Sequence, residues 1–486
     1  MVVIMHVNDA GQGWTWLLLV ICLTTTVGTT VPVGYFFGVL NAPSEIIKSW
    51  CHTILWSEYD TNTSWNQVKL LWTCIVSIYL IGGIIGSCFS AWCTNKYGRK
   101  GCLIISSVML LICGLLFTWC RAAKSLEMLM SARFFGGIAS AFIVTAHPMY
   151  LLELAPVSLS GSVGVFTCIG ITGGILLSQI VSMPQVLGSE EHWPYALSFY
   201  ALLVLICLLP LLSFPESPRW LYLVKADVDK SATALQRLRG KQSNVQQELS
   251  DLGATLQGKS KASGMWQVLR DKELFLPLLL VCAFQATQQL SGVNAIFFYS
   301  LTILTEAGFT SAAATWLNMA IGGFNLLTSL LGPLLLRKFA RRPLMINSCG
   351  LCALSLAGMS FSLYFMLITQ STGLKYVSIM FILTFILGFQ IGLGPIAYFI
   401  GSELLEDAPR PVAMSMGSLF SWTGNFLIGM CFPLLQQVWS SFAFMPCMCV
   451  CILCLILTWR YLPETRGREP KDVKPLMSQG FRSKIN

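Results

Sequence analysis

Four side-chain amides fall within ten residues of one apolar run: Gln285, Gln288, Gln289 and Asn294, in Gln-Ala-Thr-Gln-Gln-Leu-Ser-Gly-Val-Asn. The run extends from Leu274 to about Leu304, long enough to cross a bilayer. Hydrocarbon offers no hydrogen bonds, so amides at that depth must face protein, water or a ligand. An amide both donates and accepts without carrying charge, which suits a neutral ligand covered in hydroxyls. At 100° per residue Gln285, Gln288, Gln289 and Gly292 share one helix face. Asn294 falls on the opposite face unless the helix breaks, and Ser291-Gly292 is where a break is easiest. The competing role for such amides is to bond helix to helix.

The elements that must position these groups are membrane helices. Of 486 residues, 55% are hydrophobic and only 11% charged, against about a quarter charged in soluble domains. Twelve apolar spans are predicted: Trp14–Leu40, Leu70–Cys93, Cys102–Cys120, Leu126–Leu152, Ser160–Met183 and Pro194–Phe214, then Leu274–Leu304, Ala312–Leu336, Leu344–Ile368, Tyr376–Ser402, Pro411–Leu435 and Phe442–Leu462. The chain thus reads as an all-α membrane protein. The expected units are 1–214, a polar helical linker 215–273, 274–462 and a tail 463–486. In the linker Leu235, Leu238, Val245, Leu249 and Leu252 recur at amphipathic spacing.

Lys and Arg crowd the linker, the tail and the loops after spans 2, 8 and 10, which makes those regions and both termini cytoplasmic. The Asn62-Thr-Ser sequon then lies outside, as a glycosylation acceptor. Cys51 reads as a loop residue, and nearly all the other cysteines sit in or beside apolar segments. A metal reading of Cys447, Cys449, Cys451 and Cys454 lacks a nearby His or acid, and His147 stands alone. No metal, cofactor or nucleic-acid partner is expected, and no nucleophile–base pair marks an enzyme.

The halves resemble each other. Asn95-Lys-Tyr-Gly-Arg-Lys100 is echoed by Arg337-Lys-Phe-Ala-Arg-Arg342, Glu153-Leu-Ala-Pro156 by Glu403 with Ala408-Pro409-Arg410, and Pro215-Glu-Ser-Pro-Arg219 by Pro463-Glu-Thr-Arg466. Such repeats place a ligand at mid-membrane between the halves, exposed to each side in turn by rocking.

These motifs, with Gln-Gln-Leu-Ser-Gly-x-Asn and Gly392-Leu-Gly-Pro395, resemble the sugar-porter branch of the major facilitator superfamily, and more narrowly animal facilitative hexose transporters. The resemblance implies two pseudo-symmetric six-helix bundles and sugar contacts from Gln288, Gln289, Asn294, Gln179, Asn325, Trp422 and Asn425, with Tyr35, Gln390 and Tyr398 in the same set. It implies an extracellular gate at Phe298 and Tyr299. It also implies a cytoplasmic latch drawn from Arg99, Arg133, Glu153, Glu216, Arg341, Arg342, Glu403, Arg410 and Glu464. Departures carry information. Gln285-Ala-Thr precedes the paired glutamines, Gln390 replaces a glutamate, Tyr398 replaces a tryptophan, and Asn294-Ala-Ile resembles fructose-transporting relatives. Ser160 replaces a latch arginine and Arg337 an acid, which predicts a bias toward inward-open states. Phe36 stands where proton-coupled porters have an aspartate, which predicts a uniporter; the plasma membrane is its expected location. A carrier of another neutral polyol and a non-transporting sugar sensor are the alternatives.

Overall fold

The computed structural model describes residues 13–58, 64–239, 246, 248–250, 253, 265–297, 304, 309–369, 372–477 and 480–482. Among them nine helices are long and apolar enough to cross a membrane. The longest, Trp65–Trp119, is two spans (α2 over 65–97 and α3 over 99–119) hinged at Gly98. The bent pair Arg410–Phe432 and Leu434–Phe442 supplies another span, and Met445–Tyr461 is a shorter one of 17 residues. With these, each of the twelve predicted spans has its helix. The remaining spans are α1 (Trp16–Gly38), α4 (Leu126–Leu154), α5 (Ser160–Val181), α6 (Trp193–Ser213), α7 (Lys272–Phe297), α8 (Ser311–Lys338), α9 (Arg341–Thr369) and α10 (Gly373–Leu404). The helix Arg410–Trp439 is α11 and Met445–Tyr461 is α12.

Helix starts are written locally. Ser64 and Gln67 form a capping box ahead of α2, while Ser125, Asp271 and Thr310 cap α4, α7 and α8 through their side chains. Gly98 has φ +86°, and a Cβ there would lie 2.3 Å from a Glu216 carboxylate oxygen, so only glycine fits this hinge. Outward faces are apolar, as lipid requires: α6 presents Leu202, Leu205, Leu209 and Leu212.

Packing follows the repeat. α1 lies on α5 and α2–α3 run along α4 in the first half; α7 lies on α11, and α9 on α10 and α12, in the second. The halves meet where α2 packs on α11 and α5 on α8. Outside the spans, Ser44–Ser57 forms a helix that buries Cys51, which therefore is not the loop residue expected. In the linker Leu235 and Leu238 lie on the buried face of the helix Val228–Arg239, whereas Val245 and Leu252 lie outside the described residues.

Candidate functional site

Span α7 breaks where glycine permits it. Its regular helix ends at Leu290, Gly292 takes φ +87°, and the chain resumes helically to Phe297. The break swings Asn294 back onto the glutamine face, where its amide donates to Gln289 Oε1 at 2.5 Å. Gln289 in turn donates to Gln288 Oε1 at 3.2 Å and to Ser421 Oγ at 3.1 Å. Gln288 donates to the Gly394 carbonyl at 2.6 Å, just past the break in α10 at Gly392. Gln285 is buried but points at Gly417 of α11, so the glutamine face is shared out between two environments.

A cavity of about 50 Å³ lies alongside, bounded by Gln288, Gln289, Asn294, Asn325, Gln390 and Tyr398 from the second half. Cys168, Ile171, Thr172 and Ile175 of α5 close it from the first. The wall is one hydrogen-bonded chain: the Cys168 thiol donates to Gln390 Oε1 (3.2 Å), and Gln390 donates to Asn325 Oδ1 (2.6 Å). A smaller compartment of about 10 Å³ adjoins it, lined by Gln289, Tyr398, Ser421, Trp422 and Asn425. There the buried Asn425 Oδ1 has no hydrogen-bond partner among the described residues, leaving an acceptor for a hydroxyl.

Two expected contacts lie elsewhere. Gln179 is on the cavity-facing side of α5 but one turn, about 6 Å, beyond Ile175, the last α5 residue of the cavity wall, and there it meets Gly322 of α8. Tyr35 faces the opposite way from the cavity, its hydroxyl donating to the Ala196 carbonyl at 2.5 Å and its ring against Phe199 and Tyr200. Cys168 and Ser421 went unpredicted because neither residue type advertises ligand contact. Phe298, Tyr299 and Asn62 lie outside the described residues.

The charged groups assemble at one end of the bundle in two copies. Glu153 receives Arg99 (2.9 Å) and the Ser217 hydroxyl; Glu403 receives Arg341 (3.1 Å) and the Thr465 hydroxyl (2.5 Å). Glu216 accepts backbone N–H groups of Arg99, Lys100 and Gly101 at the start of α3, and Glu464 does the same for Arg341 and Arg342 at the start of α9. Burial raises the Glu216 carboxyl above its ordinary range, and these N–H groups offset only part of that.

At this end Arg410 meets Glu153 at 3.5 Å and the Ser160 hydroxyl donates to Glu403 at 3.3 Å across the halves, while Arg219 of the linker meets Asp407 at 3.3 Å. Burial pushes the Asp407 carboxyl up, but Arg410, Arg219 and Arg99 outweigh it and hold it at about 2. Arg133 does not belong to this cluster. It sits near the other end of α4, twenty residues or about 30 Å from Glu153, donating to the carbonyls of Phe36 and Val76 with its guanidinium over Tyr79.

A helical bundle with a neutral polar cavity between its halves and buried ion pairs gathered at one end is the architecture of a membrane carrier. The chain matches the Sugar (and other) transporter family over residues 21–476, and it belongs to that family. Facilitated glucose transporter member 3 of Homo sapiens is 33% identical, covering 94% of this chain and 91% of the relative. Member 7 of Mus musculus is 31% identical, covering 93% and 88%. The proton:xylose symporter XylE bound to 6-bromo-6-deoxy-D-glucose shares the fold, with TM-score 0.81 and 24% identity over 95% of this chain and 99% of that one. The inward-open form of XylE from E. coli superposes at TM-score 0.68 with 23% identity, over 94% and 99%.

Proposed function

We propose that this protein is a facilitative hexose carrier of the plasma membrane, a uniporter working by alternating access, with fructose and glucose as candidate substrates. The observation that carries the reading is the amide network around Gln288, Gln289 and Asn294, which borders a cavity at the seam between halves and presents no charge to it. Its donors and acceptors stand in for the water around a carbohydrate. The moving parts are the units 1–214 and 274–462, joined by 215–273, with the tail 463–486 and both termini in the cytoplasm. The latch end then faces the cytoplasm and is closed here, and the opposite end holds an open vestibule of about 430 Å³.

Uniport is supported by Phe36. Its ring lies 5.7 Å from the Arg133 guanidinium, so the position that would hold an exchangeable proton is aromatic. Uptake of radiolabelled fructose, glucose and inositol into proteoliposomes without an ion gradient tests the proposal, with Gln289→Ala as control. Hexose uptake independent of pH and reduced in the control is expected; acidification coupled to sugar entry rules out uniport.

A further inference from the structure

One side chain borders all three compartments on the path from the vestibule inward. Among the described residues Phe37 alone lines the outer vestibule, the amide cavity and the small compartment beside Trp422. It is the penultimate residue of α1, and its ring is half-buried. That ring stacks on Trp422 of α11 at 5.9 Å and 23°, a contact between the two halves, while meeting Tyr79 edge-on at 5.6 Å. The vestibule side is mixed, with Asn41, Ser44, Lys48, Thr73 and Ser77 set among Leu40, Trp72, Val76 and Leu80. The inner side has room for a few waters only.

We propose that Phe37, seated on Trp422, is the outer door of the carrier: its swing merges the vestibule with the amide cavity and admits the sugar. Placement at a helix end next to Gly38 lets the ring turn without disturbing a following turn of helix. The leaf it closes against belongs to the other half, so rocking that parts the halves also unseats it. The same contact makes external closure depend on an aromatic stack, whereas the cytoplasmic closure is ionic. The proposal rests on the carrier reading, but its test does not require transport.

Cys168 is the reporter, since it lines the cavity behind the door. The full chain is reconstituted as wild type, Phe37→Tyr, Phe37→Leu and Phe37→Ala. Each is exposed to a membrane-impermeant alkylthiosulfonate from one side at a time, and the mixed disulfide formed at Cys168 as sulfinate leaves is followed by mass spectrometry. Cys168→Ser identifies the peptide. External labelling is expected to stay at the wild-type rate in Phe37→Tyr, to rise in Phe37→Leu, and to rise about tenfold in Phe37→Ala, the scale of one aromatic pair. Labelling from the cytoplasmic side is expected to be unchanged in all three. External rates equal across the series overturn the door, as does an equal rise from both sides, which marks general loosening. If Phe37→Ala does not fold, the step from Tyr to Leu decides. Absent sugar uptake with an ordered labelling series overturns the carrier reading and leaves the door standing.

Discussion

Gln289 is the most connected amide of the cavity, accepting from Asn294 and donating to Gln288 and Ser421. Truncating it removes any bond to the ligand and also strands its buried partners, each at about 1–3 kcal/mol. Gln289→Ala is therefore expected to raise the KM for hexose by tenfold or more, read in initial-rate uptake. Gln179 offers the contrast. It lies outside the cavity, so Gln179→Ala is expected to leave KM within about twofold, as for a substitution away from the ligand. A second residue-scale expectation concerns Phe36. Phe36→Asp would place a carboxylate beside the Arg133 guanidinium and give the outer half of α1 a titratable group, so uptake should become pH-dependent where the wild type is flat. A flat profile in the variant would show that Arg133 holds the aspartate ionised throughout.

Elements here carry their function at their breaks. α7 is interrupted at Gly292 and α10 at Gly392, and the two interruptions face each other through the Gln288 bond to Gly394. Freed backbone at such points is tolerated because it lines a cavity or meets another helix. The hinge at Gly98 works differently, since it turns α2 into α3 and lets Glu216 cap the new helix. Its φ of +86° with ψ 174° is a conformation open to glycine alone, and a Cβ would strike the carboxylate. Gly98→Ala should cost about 1–3 kcal/mol in strain, seen as a lower Tm of the detergent-solubilised protein. The second half manages the equivalent turn with Ala340, so the cost is local to the first repeat.

The closed, charged end of the bundle is a property of the whole molecule. The repeat offset of 250 residues that relates Glu153 to Glu403 also relates Ser160 to Arg410. Arg410 reaches across to Glu153, but its counterpart Ser160 offers Glu403 only a hydroxyl at 3.3 Å. One of two symmetric ionic ties is thus replaced by a neutral one. Ser160→Arg is expected to restore it, lowering the inward-open fraction measured by cytoplasmic-side cysteine accessibility; an unchanged fraction would mean the missing charge does not set the equilibrium. Arg337 is exposed, so Arg337→Glu should shift the same fraction less, within the roughly 0–1 kcal/mol of a surface pair. The pH dependence has a definite sign. Asp407 is held at about 2, below its unfolded value, so its contribution is complete above about pH 4 and is lost as pH falls through 2. Asp407 should then add no pH dependence to closure between neutral pH and about 5, and Asp407→Asn should weaken closure at neutral pH.

By itself the sequence determined the membrane class, the twelve spans, the twofold repeat, the break at Ser291-Gly292 and the amides of α7, because hydropathy, helical period and glycine are local signals. The paired positions of Glu216 and Glu464 were legible too, through motifs echoed at offsets of about 242 to 250 residues. What it left undecided is depth and direction. Gln179 and Cys168 share one face of α5, and only packing against α8 shows which level meets the cavity. Arg133 and Arg99 are both buried arginines, yet they serve opposite ends of the membrane. Tyr35 and Phe37 stand two residues apart, and rotation of α1 against α6 and α11 turns one inward to its own half and the other onto the path. A helix period fixes which residues travel together; only neighbouring helices, through their packing, fix where that face points and at what height.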